Sequence, residues 1–519
     1  MSYIKKLATL GLLSAVTFSS INVAQAEDAP VLGEDTGKGT VLVDNTHGQT
    51  AGAADWVIDG AFSDYGQSIA DQGYQVKELR KDNTISEESL KDASILVIPE
   101  ANIPIKDCEQ EAILNFTKNG GSVVFISDHY NADRNLNRID SSEIMNGYRR
   151  GAYNDITKDM SEAEKNSDEM KGVTNSDWLS ENFGVRFRYN ALNNLKATNI
   201  VQGENGLNIG DNVNSVSMHA GSTVAITNPE IAKGIVYMPD NLTESDKWSH
   251  AVDQGVYNGG GKKEGAYVAV SKVGKGKAAF IGDSSMVEDS SPKYKREDSG
   301  ESKRTYDGFK EEDNDQLLKN LTTWLGKKEA YTSFKEKGIE LDEKTPLLDF
   351  ETPENSTEPQ KEPWSEPKDG YKWYDPSTFK PGSYGSGEAP TEDPESPSDD
   401  PNDTPETNGN ATFDLPSQFT AGDTETFTVK LSGYPANQKV SDLKVGMYKA
   451  GGEQIGRIAK DGETADSYGY STPTSVTTDE NGNAVLKYTV KVKDGATGEA
   501  NIRLKQGSKT VTTKQINVQ

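Results

Sequence analysis

From Gly39 to Ile126 short apolar runs alternate with helix-period stretches, a pattern that restricts this part of the chain to a parallel sheet covered by helices. Strands are expected at Gly39–Val43, Tyr74–Leu79, Ser94–Pro99 and Val123–Ile126. Helices are expected over Ala53–Ala70 and Lys106–Lys118, with a short one opened by Ser86. The first, third and fourth strands are nearly continuous in Val, Ile and Leu, as strands buried on both faces are. Each ends abruptly in polar residues: Asp44-Asn45-Thr46-His47-Gly48, Glu100-Ala101-Asn102 and Asp128-His129. Parallel strands bring their carboxyl ends to one edge, where open α/β sheets bind ligands, so these groups are expected to converge. Asp283 follows a hairpin expected at Tyr267–Ile281 and joins them if its strand runs parallel in the same sheet.

The alternation stops at about residue 130. A polar insertion runs to about 194, with a helix from Trp178 to Phe183. β segments at Val213–Ile226 and Ala232–Met238 and a helix at Asn314–Leu325 complete an α/β domain over 38–328. Residues 351–410 hold 11 of the 21 prolines and 15 acidic against 4 basic residues, the composition of an extended linker. Its aromatic middle, Trp364–Tyr384, is expected to pack back on a neighbouring domain. Residues 411–519 read as short alternating strands, an all-β immunoglobulin-like sandwich. Cys108 is the only cysteine, so no intramolecular disulfide can brace any part.

Lys5, Lys6, the apolar stretch Leu7–Phe18 and Ala24-Gln25-Ala26 form a secretory signal peptide over 1–26, and the mature protein is expected outside the cell or at its surface. No other run approaches the ~20 apolar residues of a membrane span. The net charge of −27 favours cations and makes nucleic acid an unlikely partner, unless a locally basic region escapes the average.

Imidazole plus carboxylate suits a divalent metal, so Asp44, His47, Asp128 and His129 are candidate ligands for Zn²⁺, Mn²⁺ or Ca²⁺. Asp128, His129 and Glu100 are the candidate catalytic groups of a hydrolase. The bland alternative is that they cap helices and bond backbone. Arg134, Arg138, Arg149 and Arg150 stand out in so acidic a chain and suit an anion, with Asn45, Asn102, Asp133, Asn135 and Asp283 completing a ligand site. Internal salt bridges would use the same arginines differently. The string Asp133–Arg138 lacks the Gly and distal Glu of a calcium loop, so an EF-hand is rejected. Cys108 has no evident His partner and is read as incidental.

Strand one ending in DNTHG, the stretch AILNFTKNGGSVVFISD, the later KVGKGKAAFIGDSS and the closing NDQLLKNLTTWLG together resemble the class I glutamine amidotransferase-like superfamily. Within it they are similar to the branch of gliding-motility and intraflagellar-transport domains. The resemblance implies a doubly wound, flavodoxin-like sheet. It places a catalytic Cys directly after a strand, where this chain has Pro99-Glu100-Ala101-Asn102, so amidotransferase activity is not expected. The expected function is binding, and potentially hydrolysis, of a polar or anionic ligand such as a sugar or phosphoester. One alternative is a non-enzymatic cell-surface or matrix binding module; another is an extracellular nucleic-acid-binding or -processing protein.

Overall fold

A computed structural model of the chain describes residues 29–80, 84–130, 132, 139–251, 255–358, 368–386, 410–416, 418–449, 454–461, 465, 468–506 and 509–519. The expected signal peptide 1–26 and the candidate residues Asp133, Arg134, Asn135 and Arg138 lie outside the described residues. The chain forms two compact units, Met1–Asp393 and Pro394–Gln519.

The first unit is mixed α/β around one large mixed sheet. Its strands are β1 (Thr40–Asp44), β2 (Gln75–Leu79), β3 (Ala93–Ile98), β4 (Ser122–Ile126), β5 (Val185–Phe187), β6 (Val224–Ile226), β7 (Ala232–Tyr237), β8 (Ala266–Val273) and β9 (Gly276–Ile281). They lie in the order β2-β1-β3-β4-β9-β8-β6-β5, with β7 also on β8. From β2 to β9 all neighbours pair in parallel. Beyond β9 the pairing turns antiparallel, because β8 and β9 are the two arms of a hairpin.

Alternation along each strand sends side chains to two cores. Val41, Val43, Val124, Ile126, Ala279 and Ile281 meet Phe62, Tyr65 and Ile69 around helix α1 (Ser63–Ala70) and Leu317, Leu321 and Trp324 of a later helix, Asn314–Leu325. Leu42, Leu96, Val123, Phe125 and Phe280 meet Ile113 of helix α2 (Asp107–Lys118) on the other face. That second face also takes Trp178 and Phe183 from helix α3 (Trp178–Phe183), with the Phe183 ring edge-on to Phe125 at 5.4 Å. The insertion is thus part of the core. Gly121 precedes β4 because Phe116 packs on its backbone; an added Cβ would lie 2.4 Å from that ring.

Two elements differ from the sequence pattern. The helix expected from Ala53 begins only at Ser63, since buried Asp55 pulls 54–62 into turns. Its carboxylate accepts the backbone N–H groups of Ala61 (3.1 Å), Lys293 (2.6 Å) and Tyr294 (2.8 Å). The strand expected over Val213–Ile226 splits into Val216–Met218 and β6. Ala220 turns left-handed, and Gly221 passes the Asp283 side chain so closely that a Cβ would lie 2.6 Å from it.

The second unit is all antiparallel β. One sheet orders Asn410–Asp414, Thr424–Ser432, Ala484–Val492 and Gly456–Lys460; the other orders Thr474–Thr477, Lys439–Lys449, Gly498–Gln506 and Lys509–Val518. Inward residues such as Phe427, Val429, Tyr488, Met447, Ile502 and Leu504 form one core. Gly482 closes the turn before Ala484 at positive φ, with Asp479 accepting the N–H groups of Asn481 and Asn483. No helix among the described residues is long and apolar enough to cross a membrane.

Candidate functional site at the strand tips

The carboxyl ends of β1, β3, β4 and β9 share one edge of the sheet, so Asp283 does stand at a parallel strand tip beside those of the other three. The polar residues there form bonded networks.

At the β1 tip Asp44 and His47 are buried, 0 % and 3 % exposed. His47 Nδ1 donates to Asp44 Oδ2 (2.7 Å) and Nε2 donates to Glu109 Oε2 (3.1 Å). Gln49 Nε2 also donates to Asp44 Oδ2 (2.8 Å), while Thr46 gives its N–H (3.0 Å) and hydroxyl (2.6 Å) to Oδ1. Burial opposes charge on the imidazole, but the flanking Asp44 and Glu109 outweigh it and raise His47 to about 10. Burial likewise works against both carboxylates, and their pKa values are nonetheless lowered by His47. Near neutral pH, therefore, His47 is an imidazolium clamped between two carboxylates. In this arrangement both ring nitrogens are bonded to carboxylates, and Asp44's oxygens are committed to His47, Gln49 and Thr46. Among the described residues, no group of three or more His, Cys, Asp and Glu is placed to hold a metal ion.

Asn45 donates from Nδ2 to Glu78 Oε2 (3.3 Å), and its buried Oδ1 has no hydrogen-bond partner. At the β3 tip Glu100 is buried, and Asn102 reaches back to the Gly48 carbonyl (3.1 Å), tying this tip to that of β1.

At the β4 tip Asp128 accepts the His129 N–H (2.6 Å) and the Ser284 hydroxyl (3.1 Å). Ser284 also lies 3.2 Å from Glu288, which accepts the Trp56 indole N–H at 2.7 Å. His129 donates from Nδ1 to the Tyr130 carbonyl (2.9 Å), and its ring lies 4.3 Å from that of Trp248. Asp283 accepts the His219 N–H (2.7 Å), the Tyr267 hydroxyl (3.1 Å) and the Ser285 N–H (2.8 Å). Burial raises its pKa despite these donors.

The two described candidate arginines, Arg149 and Arg150, turn inward. Arg149 donates to the carbonyls of Ile156 (3.1 Å) and Lys158 (2.5 Å). Arg150, 1 % exposed, lies over the rings of Tyr189 (4.4 Å), Tyr130 (5.0 Å) and Phe350 (5.5 Å). Cys108 is exposed in the first turn of α2.

A cavity of about 270 Å³ opens at the β1 and β3 tips. On the fold side it is lined by Asn45, Thr46, His47, Asn102, Lys106 and Glu109. Tyr371, Trp373, Phe379 and Tyr384, from the strap 368–386 within the proline-rich segment, also line it. This strap is pinned by Lys380 N–H to the Glu297 carbonyl (2.9 Å), by Lys295 N–H to the Gly382 carbonyl (3.0 Å) and by the Trp373 indole to Glu164 (2.9 Å).

Sequence reasoning passed over Glu109, Ser284, Glu288 and His219, and treated the strap only as a packing element. Glu109 sits where a helix-capping carboxylate is expected and does bond the Lys106 N–H (3.0 Å); nothing local signals that it also reaches His47.

No family model and no curated protein matches the chain. Solved structures similar to it include the mmIFT52 N-terminal domain, at 11% identity over 56% of this chain and 99% of that one, TM-score 0.34. A conjugative transposon lipoprotein from Bacteroides eggerthii matches at 8% identity over 22% of this chain and 98% of that one, TM-score 0.15. A cohesin module of a family 33 glycoside hydrolase from Clostridium perfringens matches at 13% identity over 22% and 98%, TM-score 0.15. These likenesses are too slight to bear on function.

Proposed function

We propose that the α/β unit is a recognition domain that holds a polar small molecule or a glycan end in the strand-tip cavity. The observation that carries this reading is the cavity itself. It lies at the carboxyl edge of the parallel strands and its lining combines polar tip residues with aromatic rings, the make-up of a small-molecule site. The bonding of His47 favours binding over turnover, because an imidazolium held by two carboxylates anchors the β1 tip and is a poor proton acceptor. A hydrolytic version would use Asp128, His129 and Glu100. If the Asp128→Asn, His129→Ala double variant leaves every tested ester, phosphoester and glycoside activity unchanged, that version fails. Loss of binding in Asn45→Ala, with an unchanged melting temperature, is the result expected of the recognition reading; retention of full affinity would overturn it.

On the wider assignment, the order β2-β1-β3-β4-β9 supports a flavodoxin-like, amidotransferase-like domain, and Cys108 beyond the β3 tip argues against amidotransferase chemistry. The two stacked antiparallel sheets of the second unit support an immunoglobulin-like sandwich. Export through the signal peptide 1–26 is part of the same proposal, and a mature amino terminus near Glu27 on protein recovered from culture medium is its test.

A second reading concerns the C-terminal unit, where residues 410–519 carry 13 Lys and Arg against 12 Asp and Glu in a chain of −27 overall. On the side of its sheet away from Leu504, Arg503 lies over Tyr448 (4.7 Å) and Lys505 over Tyr470 (5.1 Å). This favours contact with a polyanion such as single-stranded nucleic acid. Binding of a labelled oligonucleotide should weaken as salt rises; no binding at low salt ends this reading.

A further inference from the structure

We infer that the strap 368–386 is one half of a binding site for neutral sugars, so that the proline-rich segment is a working part of the α/β unit. This rests on the recognition reading above and adds the ligand's class and the residues that select it.

The first argument is composition. Within fourteen residues the strap carries Tyr371, Trp373, Tyr374, Phe379 and Tyr384, in a region otherwise rich in proline and acid. Four of the five line the cavity. Rings on a segment with so little else to bury are expected to pack flat against the fold. Trp373 and Tyr371 do pack on the fold and Tyr371 stacks on Phe379 (5.6 Å), yet four of the rings also border the cavity that Asn45, Thr46 and Asn102 line. Aromatic rings and amide and hydroxyl groups in one lining match a pyranose, whose C–H faces are apolar and whose rim is a belt of hydroxyls.

The second argument is charge. Asp168, Glu169 and Glu297 also line the cavity, Asp168 paired with Lys171 and Glu297 with Lys303 (3.2 Å), and Asp44, His47 and Glu109 together carry a net negative charge. Against them stands Lys106. A phosphoester or uronate would meet more lining carboxylates than lining cations, with Arg149 and Arg150 buried elsewhere. A neutral hydroxyl instead gains from carboxylate acceptors, which form the stronger hydrogen bonds.

The third is the unsatisfied amide. Asn45, 1 % exposed, lines the cavity, and its buried Oδ1 has no hydrogen-bond partner, so a small turn of the amide would offer a ligand hydroxyl an acceptor that loses no existing bond. The volume, about 270 Å³, falls just below the roughly 300–1,000 Å³ of small-molecule sites and suits a chain end or single residue over a long stretch of polymer.

The strap is also fixed independently of any ligand, through the backbone bonds of Lys380 and Gly382 and the edge-on contact of Tyr384 with Tyr294 (5.3 Å). The rings are therefore in place before binding, which lowers the ordering cost that a loose linker would carry.

The test titrates the full chain, by calorimetry, with neutral oligomers of glucose, mannose and N-acetylglucosamine, and in parallel with glucose 6-phosphate and an oligogalacturonate. The expected result is binding of a neutral member, weakened at least tenfold by Tyr384→Ala and by Asn45→Ala, with melting temperatures close to the parent. Tyr384→Phe, which keeps the ring, should bind as the parent does and guards against a folding defect in the alanine variant. If a neutral sugar binds and Asn45→Ala weakens it but neither Tyr384→Ala nor Tyr371→Ala does, the strap is no part of the site. A charged compound that binds while no neutral one does overturns the ligand class yet leaves the recognition reading standing. Silence across the whole panel overturns both.

Discussion

Replacing Glu109 by Gln tests whether the β1 tip is held by a buried charge triad. With both carboxylates present, raising an imidazole from 6.5 to about 10 corresponds to about 5 kcal/mol of proton-linked stabilisation. Asp44 makes the shorter bond and supplies the larger part, so the share of Glu109 is about 1–2 kcal/mol. Gln keeps the shape: with its oxygen in the place of Oε2 it can still accept from the Lys106 N–H and from His47 Nε2, but it carries no charge. The variant should fold with His47 closer to its ordinary value. Because the folded-state value lies above the unfolded one, the parent's contribution is complete below about pH 6.5 and is lost as pH rises through about 10; in the variant it is lost at lower pH. The stability gap should therefore be largest near pH 6 and close above about pH 10. Urea unfolding followed by tryptophan fluorescence reads this cleanly, since all six tryptophans precede residue 410 and report on the first unit alone. A gap that is absent, or that stays constant from about pH 6 to about pH 10, would refute the triad.

Other expectations follow from the same contacts. Asp55→Ala strands three buried N–H groups and should lower the stability of the first unit by about 2–4 kcal/mol, measured by the same unfolding curves. Glu351 grips Arg188 through two bonds, 2.6 Å and 2.7 Å, with both side chains buried; Glu351→Ala should destabilise by about 3–5 kcal/mol, although composition alone assigns residue 351 to the linker. Since Asp44 and His47 have no donor to spare, a chelator should leave the unfolding midpoint of the first unit unchanged; a fall of several degrees would reinstate a structural metal.

The parallel strands and their polar tips were legible because buried parallel strands are written as local runs of Val, Ile and Leu, and a run that ends in Asp or His is visible without any tertiary knowledge. The helix Asn314–Leu325 was readable for the same reason, through its 3.6-residue apolar spacing. Asp55 was not readable, because an acid that gathers N–H groups from residues more than 230 positions away leaves no local trace. The same holds for His47 and Glu109, which are 62 residues apart. Arg149 and Arg150 show the limit from the other side: four arginines in an acidic chain read as an anion grip, yet these two are occupied by backbone carbonyls and aromatic rings respectively. Composition marked residues 351–410 as a linker throughout, whereas Glu351 is buried and the strap's rings line the cavity; a few aromatic residues outweighed the surrounding proline and acid.

The most direct test of the account is hydrogen–deuterium exchange of the full chain with and without the neutral sugar that binds. Protection should rise together in three separated stretches: the β1 tip around Asn45–Gly48, the β3 tip from Glu100 to Lys106, and the strap from Tyr371 to Tyr384. Protection confined to one stretch, or found only in the C-terminal unit, would contradict a strand-tip site closed by the strap.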